Sequence, residues 1–242
     1  MRLAAAAAAV FVAGAIAADV AITPFSSVPP GEALPAGWRA LGIARVLPAE
    51  IALAADGGAT VLRVRSHGMA GIAAFALAAL PVSGSLAWRW KVDRVVEKAD
   101  LFAKSGDDFA ARVYVFLEIP EAAFPWHERL RLRIARLVYG AELPSAAICY
   151  VWDNRHPVGT SAWNPYARRV RTVVLESGGE RAGAWVDERR DLGADFRAAF
   201  GDEFVAAARV TGIAAGNDTD QTGESATAWF GDFRLQPAEG AR

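Results

Sequence analysis

Two stretches of this chain alternate apolar and polar side chains with the period of a β-strand. In "LAWRWKVD", Trp88, Trp90 and Val92 take one face, while Arg89, Lys91 and Asp93 take the other. In "DFAARVYVFLEI", Phe109, Ala111, Val113, Val115 and Leu117 form a wholly apolar face opposite Asp108, Ala110, Arg112, Tyr114 and Phe116. The same reading predicts strands at Trp38–Ile43, Ala59–Ser66, Gly71–Ala78, Ser85–Val95, Asp108–Ile119, Ala146–Asp153, Arg169–Ser177, Ala182–Glu188, Ala206–Ala214 and Thr227–Leu235. Proline and glycine separate them, as turns require. Many strands with two helical intervals predict a mainly β fold, an antiparallel β-sandwich or jelly roll with one or two short helices inserted.

The first interval, Trp126–Gly140, carries Trp126, Leu130, Ile134, Leu137 and Val138 as an apolar stripe at helical spacing. Arg129, Arg133 and Arg136 line another face, and Gly140 is placed to cap the end. A basic amphipathic helix of this kind lies on anionic lipid, or it is a solvated face above a core stripe. In the second interval, "DLGADFRAAFGDEF", Phe196 and Phe200 pair at i,i+4 and the helix stops at Gly201.

The N-terminus reads differently. Arg2 precedes an apolar stretch from Leu3 to about Ala17, and Ala15 and Ala17 are spaced as a cleavage signal requires. Residues 1–18 are expected to be a signal peptide, which predicts a periplasmic or secreted protein. An extended lead-in at 19–36, one β-sandwich domain at 37–236 and a tail at 237–242 follow from the remaining punctuation. The leader takes Arg2 with it, leaving 25 basic residues against 27 acidic ones. That balance argues against nucleic acid as a partner. Cys149 is the only cysteine, so no internal disulfide forms.

Were the central strands to share one sheet, the face turned from the core would collect Arg89, Lys91, Arg112, Tyr114, Tyr150, Trp152, Asn154 and Arg171. Aromatic rings stack on the apolar faces of sugars, and charged and amide groups hydrogen-bond hydroxyls or carboxylates. This mixture makes a saccharide or envelope glycan the expected ligand. A slip of one residue would exchange the two faces. An ordinary solvent face has the same composition.

The acid–base candidates for a lyase or hydrolase on the same scaffold are Asp108, Tyr114, Asp153 and His156. Near the C-terminus, "GNDTDQTGESATAWFGDF" runs from Gly216 to Ser225 without an apolar side chain. With Asp218 at position 1, an EF-hand would need Glu at position 12, where Trp229 stands. The remaining metal candidates there are Asp218, Asp220 and Glu224. The cofactor expectation is therefore none, or a structural Ca²⁺ held by distant oxygens. Asn217-Asp218-Thr219 also matches an N-glycosylation triplet.

The motifs "RWKVDRVVEKADLFAKSGDDFAARVYV", "AAICYVWDNRHPVGT" and "DTDQTGESATAWFGD" resemble the bacterial family called domain of unknown function 3047. The likeness runs from about Gly37 to Leu235 and includes the Arg-rich interval. It implies a secreted or periplasmic single-domain protein and transfers no catalytic residue. More loosely, the closing pattern is similar to the last strands of jelly-roll carbohydrate-binding modules. A late Asp in such modules helps to hold a structural Ca²⁺, and Asp232 matches it by position.

Overall fold

The computed structural model describes residues 21–42, 46–127, 129–130, 132–133, 144–167 and 169–236. The expected signal peptide and C-terminal tail lie outside the described residues. Two sheets face each other across one core in a jelly-roll sandwich.

The first sheet has seven strands. They are β1 (Trp38–Gly42), β4 (Ala70–Pro81), β11 (Arg209–Asp218), β6 (Phe109–Glu118), β7 (Ala146–Asp153), β9 (Val170–Ser177) and β8 (Ser161–Trp163), in that spatial order. The second has β10 (Val186–Asp191), β5 (Ser85–Val92), β12 (Ser225–Phe230), β3 (Ala59–His67) and β2 (Glu50–Asp56), and β13 (Arg234–Gln236) completes the edge of β5. Pairings are antiparallel except β7–β9.

The alternation in β5 and β6 decides which faces meet. Trp88, Trp90 and Val92 from one sheet pack toward Ala111, Val113, Val115 and Leu117 from the other. Rings dominate this core. Phe25 packs on Trp38 at 4.5 Å between centroids, Trp38 on Phe233 at 5.8 Å, Phe233 on Trp88 at 6.1 Å, and Trp88 on Tyr150 at 5.5 Å. The extended lead-in thus supplies a fully buried Phe25 to the core.

The helix Leu192–Phe200 forms as its spacing predicts. Asp191 accepts from the Ala194 amide at its start, and Gly201 ends it with φ 87°. Residues 126, 127, 129, 130, 132 and 133 are also helical. There Leu132 is buried, whereas Trp126 is 71% and Leu130 51% exposed, so the predicted stripe is not the buried side in this part. Arg136 lies outside the described residues.

Strand β2 was not expected, because Ala52, Ala54 and Ala55 give little contrast between its faces. The predicted strand Thr227–Leu235 divides into β12 and β13 around Gly231–Phe233.

Candidate functional site

The predicted binding face is not one surface. Arg89 and Lys91 lie on the outer side of the six-stranded sheet, since Trp88 and Trp90 occupy the core side of β5. Arg112 and Tyr114 lie on the outer side of the seven-stranded sheet. Register pairs Tyr150 with Val113 and Trp152 with Ala111, which puts both rings in the core and not beside Arg112. Tyr150 and Trp152 are accordingly 0% and 1% exposed. All eight residues of β7 are buried, so its alternation carries no signal for which face is wet.

Asn154 is tied to the loop after β5, donating to the carbonyls of Glu97 at 2.7 Å and Ala99 at 3.1 Å. Arg171 donates to Ser161 Oγ and stacks over Trp163.

The outer side of the seven-stranded sheet is covered around Arg112. Leu101, Phe109, Cys149, Val151, Ala162 and Val174 form a second apolar cluster there, to which the segment after β5 gives Leu101 and strand β8 gives Ala162. Burial pushes the Cys149 thiol up to about 12, so it is an inert core group. Arg112, 3% exposed, donates to Asp218 Oδ1 at 2.7 Å and to Asp107 Oδ1 at 3.1 Å. Asn164 donates to Asp107 Oδ2 at 2.7 Å, which joins the segment after β8 to the same network. Burial, with Asp108 and Asp107 adding to it against the pull of Arg112, pushes the Asp218 carboxyl up to about 7.

The proposed acid–base residues hold loops. Asp108 accepts from the amides of Gln221 at 3.0 Å and Thr222 at 2.6 Å. Asp153 accepts from the amides of Arg155 and His156 at 2.8 and 2.7 Å, with the His156 ring beside it at 3.1 Å. Burial drives the Tyr114 phenol far above its ordinary range. No hydrogen bond joins these side chains to one another, apart from the local Asp153–His156 contact.

Of the metal candidates, Asp218 and Asp220 meet Asp108, with one carboxylate oxygen of each within 4.8 Å of the others. Such an oxygen set suits a hard divalent cation. Glu224 and Asp232 lie elsewhere. Glu224 accepts from the amides of Glu97 and Lys98, and Asp232 from the amide and hydroxyl of Ser26. Asn217 is 1% exposed and donates to the carbonyls of Val64 and Ala226, so its triplet is closed to glycosylation. On the Arg-rich interval, Arg133 is held by Glu121 at 2.8 Å.

An open polar and aromatic surface lies on the outer side of the six-stranded sheet. Trp229 stands between Lys91 and Arg63 in one cross-strand row, and Trp185 flanks the other side of Lys91. The Lys91 ammonium sits 4.6 Å from the centre of Trp229 and 5.1 Å from that of Trp185, and the Arg89 guanidinium lies 4.6 Å over Trp185. Asp56 anchors the group, pairing with Lys91 and accepting from Trp185 Nε1 at 2.9 Å. The Lys91 hydrogen bond first, and that of Trp185 next, hold the Asp56 carboxyl below its ordinary range.

Where β12 gives way to β13, a cleft of about 360 Å³ opens, and Arg89, which lies over Trp185, is part of its wall. Its walls include Ser26, Thr60, Arg89, Asp187, Asp232 and Arg234. The signal for Trp185 and Trp229 was present in the sequence, as rings on the same alternating positions as Arg and Lys in neighbouring strands.

The sequence model of a family described as "Protein of unknown function (DUF3047)" matches residues 36–234. No curated protein sequence matches the chain. Among solved structures, a family 11 carbohydrate-binding module of a Clostridium thermocellum cellulase is similar at 7% identity and TM-score 0.43. The match covers 93% of this chain and 96% of that one. A family GH12 endoglucanase 3 of Trichoderma harzianum is similar at 9% identity and TM-score 0.41, over 84% of this chain and 98% of that one. The catalytic domain of Humicola grisea Cel12A is similar at 11% identity and TM-score 0.43, over 81% and 91%.

Proposed function

We propose that this chain, which belongs to the DUF3047 family of proteins of unknown function, is a saccharide-binding protein whose site is the outer face of the six-stranded sheet. The observation that carries this reading is the pair of half-buried indoles, Trp185 and Trp229, on one sheet face with Arg89 and Lys91 between and beside them. A pyranose ring presents C–H groups to an indole face and hydroxyls to the flanking cations and carboxylates. The cleft that shares Arg89 with this face takes the end of a saccharide chain, with Asp187, Asp232 and Ser26 as hydroxyl partners. Export through the N-terminal leader places the site in the periplasm or outside the cell, where envelope glycans are the available ligands. N-terminal sequencing of the protein from the periplasmic fraction tests that part.

Calorimetric titration with neutral and acidic oligosaccharides tests the binding. Heat should accompany at least one ligand, with tryptophan fluorescence changing in step, and both should fall in Trp185→Ala and Trp229→Ala. A panel that leaves heat and fluorescence flat would remove the reading.

A further inference from the structure

The outer face of the six-stranded sheet carries an uneven set of charges. In register, Arg189 and Arg234 flank Ala87 from opposite sides. Arg89 follows two positions along β5, facing Asp187. Lys91, Arg63 and Arg65 continue the stripe across β5 and β3.

The far end of this stripe is neutralised from within. Lys91 pairs with Asp56, while Arg63 and Arg65 share Glu50 at 2.5 and 3.9 Å. The near end is not. Among the described residues, no carboxylate oxygen lies within ion-pair distance of Arg89, Arg189 or Arg234. Arg89 rests on Trp185, and Arg189 donates to the neutral Gln236 at 3.0 Å. The facing carboxylates are Asp187, opposite Arg89, and Asp232, whose oxygens accept from Ser26. Three guanidiniums against two carboxylates, around a methyl-sized floor, leave a local positive excess in a chain whose net charge is −1.

Holding like charges together costs free energy unless an anion joins them. A guanidinium matches a carboxylate with two parallel hydrogen bonds. The neighbouring Trp185 supplies a stacking surface within one sugar's reach of Arg89. We infer that the ligand is an acidic saccharide, with a uronic-acid carboxylate bound above Ala87 among Arg89, Arg189 and Arg234. This rests on the saccharide-binding reading of the same face and adds the ligand's charge.

The test titrates the full chain with an oligogalacturonate and with a neutral oligosaccharide of equal length, using sulfate as a competitor. The acidic oligomer should bind at least about tenfold more tightly, and added salt should erode that difference. Arg234→Gln, at an exposed position of the cleft wall, should weaken the acidic ligand about tenfold and the neutral oligomer by clearly less. Asp187→Asn removes the facing carboxylate and should strengthen it. Thermal melts of both variants at the wild-type temperature exclude a folding effect.

Equal affinity for neutral and acidic oligomers would overturn the acidic preference while the saccharide reading stands. Binding of neither oligomer would overturn both. Full competition by sulfate at equal charge would reduce the cluster to a simple anion site and overturn the inference.

Discussion

Arg112 Nε lies 2.7 Å from Asp218 Oδ1, and both side chains are buried on the outer side of the seven-stranded sheet. The pair joins β6 to the end of β11, and Asp218 also accepts from the Phe109 amide at 3.0 Å. Removing one partner strands a buried charge, which costs about 3–5 kcal/mol. Arg112→Met should therefore lower the denaturation midpoint steeply. A double variant, Arg112→Met with Asp218→Asn, should lose less than the two single losses added together. Equilibrium urea unfolding of the three variants measures this, and strict additivity would show that the pair is not coupled.

This network also marks the limit of what the sequence disclosed. Strand β6 was legible because its apolar positions recur at every second residue, and its contrast with Arg112 and Tyr114 fixed the core face. Strand β7 offered no such contrast. Cys149 and Val151 face a second apolar cluster instead of water, so the alternation alone puts Tyr150 and Trp152 on the wrong side. Periodicity reports alternation within a strand and not which strands share a sheet. Arg89 and Lys91 were thus correctly turned from the core yet joined to partners on the opposite sheet. The helix Leu192–Phe200 was legible because its Phe pair and Gly201 agreed locally.

Glu188 gives the fold a dependence on pH. Burial first, and the charge of Glu176 next, raise its carboxyl from 4.5 to about 7. Its Oε1 has no hydrogen-bond partner among the described residues. Between these two values the folded chain holds a proton that the unfolded chain releases, so stability falls as pH rises through that window. Glu188→Gln should flatten part of that slope. It should exceed the wild type near pH 8 by on the order of 1 kcal/mol, discounted for the solvent that reaches the group. Near pH 4 the two should converge. Asp218 titrates in the same window with the same sign and keeps the rest of the slope. Parallel stability–pH curves for the two proteins would refute the assignment.

Glu224, the residue just before β12, reaches a loop distant from it in sequence. Its two oxygens accept from the amides of Glu97 and Lys98 at 3.0 and 2.9 Å, fixing the loop that follows β5. Charge-assisted bonds of this kind contribute about 1.5–3 kcal/mol each before exposure discounts them. Glu224→Ala should speed hydrogen exchange at the Glu97 and Lys98 amides. Exchange within β6 should stay slow, because Arg112 holds Asp107 independently. Unchanged exchange at both amides would show that the loop is held by Asn154 alone.

Gly216 opens the polar stretch that runs to Ser225, and its missing side chain has a structural reason. A Cβ there would meet the Gly71 carbonyl oxygen at 2.1 Å and Ile72 Cα at 2.8 Å. Both contacts are backbone, on the paired strand β4, where Gly216 faces Ile72 in register. Neither can rotate away, so an added methyl must separate two hydrogen-bonded strands at the centre of the sheet. Overpacking of this kind costs about 1–3 kcal/mol where side chains can adjust, and more where backbone must move. Gly216→Ala should therefore destabilise by about 3 kcal/mol or more in urea unfolding. Gly179 provides the comparison, since a Cβ there meets nothing within 4 Å. Gly179→Ala should stay within about 0.5 kcal/mol of wild type. Equal midpoints for the two variants would mean that β4 and β11 are not packed as closely as this contact requires.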